Sequence, residues 1–467
     1  MPIDLRLDPS EVALFTDLYE LAVGAALLEH GFNETASFEL SMRRMPPGRG
    51  YMVAAGVERL IEALEEYRFD AEAIAHLESL QLFKPEFLDY LSRLRFTGSV
   101  RAIPEGALYF ANEPILEIRA PIIEAQLIET LVLNQLGFAS IVATKAARCF
   151  SVAGGRRLVD FGPRRAQGAD AALIVARSSY IAGFHGSANV LAGKRYGIPV
   201  YGTMSHSFVM AHEHERDAFR DFTASFLTLS TLLVDTYDTL RGVENAAQIA
   251  AAMRERGVKI QGVRLDSGDL QELSRKTRRI LDAAGFPEIA IVASGDLDEY
   301  KIAELVDSRA PIDAFGVGTS LAVSDDAPAA DFVYKLVEYA GHARLKMSQN
   351  KASTPGRKQL FRAHSATGAI YADMVGIADE SITTVAREFR PAPAKTVALL
   401  ETIVERGRRV MPRPTIDEAR ERLMNGLTAL DARHKTLQRP AEFSVRQTAA
   451  LNALVISEKL RVDKRQD

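Results

Sequence analysis

Apolar positions along this chain change their spacing from one stretch to the next. From 10 to 31 they recur with helical period: Val12, Phe15, Leu18, Ala22 and Ala25 share a face behind Ser10, a candidate N-cap. ASFELSMRRMP (36–46) alternates as a strand does, Pro46-Pro47, Gly48 and Gly50 mark a loop, and 55–67 returns to helical spacing. Short helical and strand-like runs then continue to about 121, and no single period dominates, which is an α+β texture.

The pattern changes near 122. IIEAQLIETLVLNQLG reads as a long apolar helix capped by Gly137. Strand and helix patterns then alternate: RLVDFG and its helix, IPVYGT and a helix through Phe222, STLLVDTYDT, NAAQIAAAMRERG, IQGVRLDSG, LQELSRKTRRILDAAG, EIAIVASGD, LDEYKIAELVDSR and DAFGVGTSLA. These strands are apolar throughout rather than alternating, as strands buried on both faces are. Six βα-type units in about 160 residues predict an α/β fold with a parallel barrel, or a barrel missing a strand. After 331 the alternation stops. FVYKLVEYA and ARLKMSQ read as antiparallel strands, KASTPGRKQLFR as a basic, turn-rich segment, and 415–437 and 444–460 as terminal helices.

Composition narrows the class. A chain of 467 residues is too long for one simple core. Net charge −4 and a pI near 6.2 give no basic footprint for nucleic acid or an anionic membrane surface. A single cysteine, Cys149, excludes an internal disulfide framework and a cysteine-rich zinc site, and fits a reducing cytoplasm. Asp4, Asp8 and Glu11 interrupt any signal-like apolar run, and no stretch reaches the roughly 18 apolar residues of a membrane span. The expectation is a cytoplasmic protein without nucleic-acid or membrane partners.

Candidate chemistry collects where strands end, the position that open α/β sheets and barrels use for ligands. RLVDFGP delivers Arg164 and Arg165, fixed charges with a fork suited to phosphate or carboxylate. IPVYG leads to Thr203, Ser205 and His206. Asp235 and Asp238 follow one strand, and Arg264, Asp266, Ser267 and Asp269 finish another. Such carboxylates suit ribose hydroxyls or water-held Mg²⁺, or else cap the next helix. Ser294-Gly295-Asp296 and Gly316-Val317-Gly318-Thr319 are glycine turns that let a phosphate approach the backbone. Tyr19, by spacing alone, reads as a core aromatic with a bonded hydroxyl.

Other signals fail. Gly186 to Lys194 resembles a P-loop, but six residues separate its glycines and Arg195 stands where Ser or Thr is required. No G-x-G-x-x-G follows the first strand, which argues against a dinucleotide site. A helix through His206, His212 and His214 would set 206 and 212 about 240° apart. No metal held by direct protein ligands is expected, and His212 and His214 read as solvated.

FGPRRAQG, GSANVLAG, PVYGTMSHSFVMA, LVDTYDT, VRLDSGDL, VASGDLDEYKI and FGVGTSLAVS, with FTDLYEL near the start and KxSxxKxxxPGxKQxFR at 346–362, resemble the signature segments of the nicotinate phosphoribosyltransferase family. The resemblance runs in order over roughly 10–440. It implies a type II phosphoribosyltransferase fold: an incomplete parallel α/β barrel (122–330), a discontinuous α+β domain (1–121, completed by about 331–400) and a C-terminal helical segment (401–467). The implied reaction joins nicotinate to 5-phosphoribosyl 1-diphosphate, giving nicotinate mononucleotide and diphosphate for NAD salvage. ATP hydrolysis would be coupled to it through a phosphohistidine, with Mg²⁺ balancing the diphosphate.

Carried over by motif, the phosphohistidine is His206. Nicotinate positions are Tyr19, Phe161, Arg165, Thr203 and Arg264, with Tyr19 donated across a homodimer that shares its active sites. Phosphoribosyl-diphosphate positions are Asp266, Ser294, Gly295, Gly316, Gly318 and Thr319. The chain departs from the family pattern at His185, where an aspartate is expected and a pocket carboxylate would be lost, and at Ser205. Its single cysteine rules out the cysteine-rich terminal metal module of longer members. Two alternatives stay open: a related transferase acting on nicotinamide or quinolinate, and a non-catalytic homologue that binds phosphoribosyl diphosphate or a nucleotide.

Overall fold

The structure, a computed structural model, describes residues 9–226, 230–347 and 353–466. Ser348 and Lys351 of the basic turn segment, and the acidic opening residues Asp4 and Asp8, lie outside these. The chain divides into two compact units, Met1–Thr144 with Ala329–Asp467, and Lys145–Pro328 between them in sequence.

The discontinuous unit is organised by a seven-stranded sheet in the order His342–Ala343, Phe332–Tyr339, Thr35–Met42, Pro114–Pro121, Ser99–Ala102, Glu401–Glu405, Arg408–Arg409. Thr35–Met42 pairs antiparallel with Pro114–Pro121 on one side and with Phe332–Tyr339 on the other. Phe38 and Tyr334 stack at 4.9 Å in its core. Residues 401–409 are therefore sheet strands of this unit rather than the start of a helical segment. A second sheet, Lys395–Ala398, Lys358–His364, Ile370–Ile377 and Val445–Gln447, precedes the terminal helix Ala449–Gln466.

The central unit carries the parallel sheet. We number its strands β1 (Arg157–Asp160), β2 (Gly186–Ser187), β3 (Thr231–Leu233), β4 (Gly262–Leu265), β5 (Ala290–Ala293) and β6 (Ala314–Val317). Their order is β2-β1-β6-β5-β4-β3, every ladder is parallel, and an isolated bridge from Ser187 to Val200 extends the β2 edge. The first strand pairs with the last, and the remaining neighbours are consecutive in sequence. That is the cyclic order of a barrel, interrupted between Val200 and Thr231, where no ladder joins the two among the described residues. Strand residues such as Leu158, Leu232, Val263, Ile291 and Phe315 have no exposed surface, as the uniformly apolar runs require.

Several elements differ from the sequence reading. The first helix splits into a 3₁₀ turn, Pro9–Leu14, and an α-helix, Leu18–Glu29, that starts after extended Asp17. The helix expected to stop at Gly137 instead breaks at Ile128 and runs from Glu129 to Val152. Gly137 is buried inside it: an added Cβ would stand 3.7 Å from the Phe332 ring, so tertiary packing outweighs the roughly 1 kcal/mol that a mid-helix glycine costs. The division between units consequently falls within this helix, at Thr144/Lys145, rather than at 121/122. IPVYG makes only the Val200 bridge, because Pro199 has no N–H to give a ladder. Gly186–Ser187, at the start of the P-loop-like segment, forms strand β2. Residues 444–460 open with a strand, and of ARLKMSQ only Ala343 lies in a strand among the described residues.

Candidate functional site

The β strands of the central unit deliver their next residues into two adjoining cavities. One, of about 250 Å³, is lined by Phe161, Arg164, Arg165, Arg264, Asp266, Ser294, Gly295, Asp296, Gly316, Gly318 and Thr319. The other, about 220 Å³, shares Phe161, Arg164 and Arg264 and adds Gly202, Thr203, Met204 and Ser205. Eleven of the twelve residues singled out from the sequence are thereby gathered at one end of one sheet, ten as lining and His206 through its contact with Asp266. Larger cavities elsewhere, about 790 Å³ against the helix Leu18–Glu29 and about 810 Å³ between Glu213 and Ile249, contain none of the strand-end residues that converge here. The small cavities hold the chemistry.

Arg264 is the hub. It projects from β4 with its side chain 11% exposed, and each guanidinium nitrogen is used. Nε donates to Ser294 Oγ at 2.7 Å, Nη1 to Thr203 Oγ1 at 3.0 Å and Nη2 to Asp266 Oδ1 at 2.7 Å. The guanidinium carbon stands 5.2 Å from the Phe161 ring centroid, a cation–π arrangement. A bound carboxylate is thus not the only partner that could settle this charge, since Asp266 already does. Arg264 ties the ends of β4 and β5 to the segment that follows the Val200 bridge.

Asp266, a phosphate-side position by motif, lines the cavity and is paired there with the protein's own cations. Burial works against its charge. The Ser294 hydroxyl, the Arg264 guanidinium and His206 outweigh that cost and hold the carboxyl below its usual range. Asp266 Oδ2 lies 3.8 Å from His206 Nε2, while His206 Nδ1 meets Thr236 Oγ1 at 3.1 Å. The imidazole, 42% exposed, thus has a protein neighbour at each ring nitrogen. Ser205, a departure from the family pattern, caps the short helix His206–Met210 by accepting from Phe208 N, so it sets where His206 stands.

Arg164 and Arg165 are exposed and have neither an ion pair nor a side-chain hydrogen bond among the described residues. Their turn is built from beneath. Asp160, fully buried, accepts from Gly162 N at 2.8 Å and from the Ser187 hydroxyl at 2.6 Å. Burial raises its carboxyl to about 6, and those two donors limit the rise. Sequence reasoning missed Asp160. The signal available was an aspartate closing an otherwise apolar strand, which burial must pair.

The glycine turns are sterically required at two places. Gly295 has φ +91, and a Cβ there would stand 2.0 Å from Asp266 O. At Gly316 an added Cβ would lie 2.3 Å from the Phe161 ring, so the glycine seats that ring. Asp296, with φ +48, completes the first turn. Asp269 proves to be a helix cap, accepting from Glu272 N. Ser267 donates to Asp235 Oδ2 at 2.7 Å.

Three expectations change with the structure. His185 Nδ1 accepts from Leu158 N at 3.2 Å, near the start of β1, and the residue lines neither cavity, so its replacement of an acid does not alter the charge there. His212 is not solvated: Nδ1 meets Phe208 O at 2.8 Å and Nε2 lies 3.5 Å from Asp221. Tyr19 is 48% exposed rather than a core aromatic. It belongs to the discontinuous unit, where partial burial and then Glu129, to which it is hydrogen-bonded, raise its hydroxyl pKa. Among the described residues no group of three or more His, Cys, Asp and Glu is placed to hold a metal, and no helix is long and apolar enough to cross a membrane.

Comparison with known proteins accounts for this geometry. The nicotinate phosphoribosyltransferase (NAPRTase) N-terminal domain matches residues 14–137, the NAPRTase family pattern 156–358, and the NAPRTase C-terminal domain 357–455. Nicotinate phosphoribosyltransferase pncB2 of Mycobacterium tuberculosis is 47% identical over 427 residues, 91% of this chain and 89% of that protein. The Bacillus subtilis nicotinate phosphoribosyltransferase is 39% identical over 458 residues, 93% and 92%. The crystal structure of human nicotinic acid phosphoribosyltransferase superposes with TM-score 0.85 at 30% identity, covering 95% of this chain and 99% of that one. With three successive family patterns spanning most of its length, and a parallel sheet whose strand ends carry the motifs, this chain belongs to the nicotinate phosphoribosyltransferase family.

Proposed function

We propose that this protein is itself a nicotinate phosphoribosyltransferase of NAD biosynthesis, coupled to ATP through His206. The observation that carries the reading is the pair Arg164 and Arg165, without an ion pair or side-chain hydrogen bond among the described residues, beside two glycine turns in one cavity. Such a cavity suits a phosphorylated, multiply charged substrate. Three guanidinium groups, those of Arg164, Arg165 and Arg264, line the cavity with two carboxylates, Asp266 and Asp296. The excess positive charge favours 5-phosphoribosyl 1-diphosphate and the nicotinate carboxylate over neutral ligands.

In the reaction the nicotinate ring nitrogen forms a bond to C1 of the ribose as the C1–O bond to diphosphate breaks, the electron pair leaving with diphosphate. Phe161 offers a ring face held by Gly316 and Arg264. Thr203 and Arg264 edge the adjoining cavity where the pyridine carboxylate would sit. Arg164 and Arg165 stabilise the charge that builds on the leaving diphosphate, the part of the barrier that fixed cations lower most. Ser294-Gly295 and Gly316-Gly318-Thr319 present backbone and hydroxyl groups to the phosphates. Tyr19, exposed on its helix, is the ring that a second copy would contribute in a homodimer with shared sites.

His206 takes the γ-phosphoryl group of ATP. A nitrogen–phosphorus bond forms as the bond to the departing ADP oxygen breaks, and water later releases phosphate. Nδ1 is engaged by Thr236, so Nε2, with Asp266 3.8 Å away, is the acceptor. For magnesium, the residues fit an ion carried in by diphosphate rather than caged by protein. Asp266 is occupied by Arg264 and Ser294, and Asp235 Oδ1 is a buried oxygen with no hydrogen-bond partner among the described residues. Asp235 and water would hold the ion, which supplies charge neutralisation to the leaving group.

The test is mononucleotide formation from nicotinate, nicotinamide or quinolinate with phosphoribosyl diphosphate and Mg²⁺, with and without ATP. Nicotinate should be converted best, with ADP released alongside. Absence of product from nicotinate, or a clear preference for another ring, would overturn the proposal.

A further inference from the structure

Outside the cavities, the central unit contains a buried ionic cluster that the reaction does not use directly. Lys145, on the helix Glu129–Val152, is 1% exposed. Its ammonium lies 2.6 Å from Glu299 Oε2, 3.0 Å from Asp325 Oδ1 and 2.8 Å from Asp326 Oδ1. Glu299 has no exposed side-chain surface, and its other oxygen accepts from Arg148 Nε at 2.8 Å.

What these partners belong to gives the cluster its meaning. Glu299 opens the helix Glu299–Asp307, three positions after Asp296 of the first glycine turn. Asp325 and Asp326 follow the helix Thr319–Val323, which begins at the second turn. Asp325 Oδ1 also accepts from Ser320 Oγ at 3.0 Å, next to Thr319. Lys145 therefore binds, from one buried point, the element behind Ser294-Gly295-Asp296 and the element behind Gly316-Val317-Gly318-Thr319. These turns line the same 250 Å³ cavity, yet they follow different strands, β5 and β6, whose ladder pairs Val292 with Ala314 and Ala293 with Phe315.

We infer that Lys145 is a positioning residue for phosphoribosyl-diphosphate binding, setting the distance between the two phosphate-facing turns. The inference rests on the reading of the cavity given above. A lysine suits the role because its single compact ammonium can meet three carboxylates at once, which a planar guanidinium does not reproduce. Misplacing bound groups by about 1 Å is enough to cost on the order of 100-fold in a reaction.

The experiment measures binding of phosphoribosyl diphosphate with Mg²⁺ by titration calorimetry, together with KM for each substrate and kcat, on the full-length protein. Lys145→Met and Lys145→Arg are compared with Asp325→Asn plus Asp326→Asn, whose side chains are 51% and 26% exposed, and the melting temperature of each is recorded. Each should weaken phosphoribosyl-diphosphate binding at least tenfold while the KM for nicotinate stays within about twofold. If both KM values shift together, or only the melting temperature falls, Lys145 is a structural anchor and the inference is overturned. If the unaltered protein binds no phosphoribosyl diphosphate, it is the cavity's assignment that fails, a separate result.

Discussion

Asp160 offers a direct physical test of how the arginine turn is built. Its carboxyl rises from 3.8 to about 6 on folding, chiefly through burial. A carboxyl raised in this way binds its proton more tightly in the folded state. The stability it contributes is fully present below the unfolded value and is lost as pH climbs through the folded one. A difference of about 2 pKa units is worth about 3 kcal/mol, which the folded protein forfeits between roughly pH 4 and 7.

Asp160→Asn removes that dependence while keeping the shape. The amide oxygen can still accept from Gly162 N, and the amide nitrogen can donate to Ser187 Oγ. The Ser187 hydroxyl then has no acceptor at that position, a loss of about 1 kcal/mol. At pH 8 the variant should be more stable than the parent by about 2 kcal/mol, and near pH 4 less stable by about 1 kcal/mol. Equilibrium urea unfolding at a series of pH values, followed by circular dichroism, measures the difference directly. Comparing the two proteins cancels other buried carboxyls such as Glu20, also raised to about 6. A stability difference that stays flat from pH 4 to 8 would refute the reasoning, because Asp160 would then not titrate differently on folding.

Other expectations follow from the same contacts. Arg264→Lys keeps the charge but loses the simultaneous bonds to Ser294, Thr203 and Asp266, so the KM for nicotinate should rise by roughly 30- to 150-fold, about 2–3 kcal/mol, with a much smaller change for nicotinamide. Steady-state kinetics with both rings checks this, and equal losses would leave Arg264 a purely structural tie. His206→Ala should end ATP hydrolysis and acid-labile phosphorylation while leaving a slow ATP-independent transfer, as read by radiolabelled phosphate on the protein. Gly316→Ala should push the Phe161 ring aside and cost about 1–3 kcal/mol of stability along with nicotinate affinity, seen as a lowered melting temperature and a raised KM.

The strand ends were legible because each carries its signal in consecutive residues. RLVDFGPRR, VRLDSGD, VASGD and FGVGTS each show an apolar run followed at once by polar or glycine positions, and the sheet places all of them on one edge. What depends on distant partners was not legible. Nothing near Gly137 announces that Phe332 packs against it, so a helix-ending residue sits in mid-helix. Tyr19 follows an apolar spacing, yet the helix starts at Leu18, later than that spacing suggests, and leaves the ring exposed. His185 looked like a change in pocket charge because its neighbours in sequence match site motifs. Its imidazole turns to the backbone of Leu158 instead. Lys145 gave no signal at all, since its three carboxylate partners lie more than 150 positions away in the chain.

The pairing of Thr35–Met42 with Phe332–Tyr339 has a consequence for synthesis. Leu40 sits opposite Tyr334, so one side of this strand stays without its partner until the whole of Lys145–Pro328 has been translated. The central unit is continuous in sequence and can begin folding as it emerges, at about 5–20 residues per second. The discontinuous unit must wait, holding an apolar strand with a bare edge, Phe38, Leu40 and Met42 among its residues. Such edges recruit other strands, and pairings this distant in sequence are slow to close. Early folding of the inserted unit shortens the effective loop between the two strands, so mutations that slow that unit should raise aggregation of a chain whose own sheet they never touch.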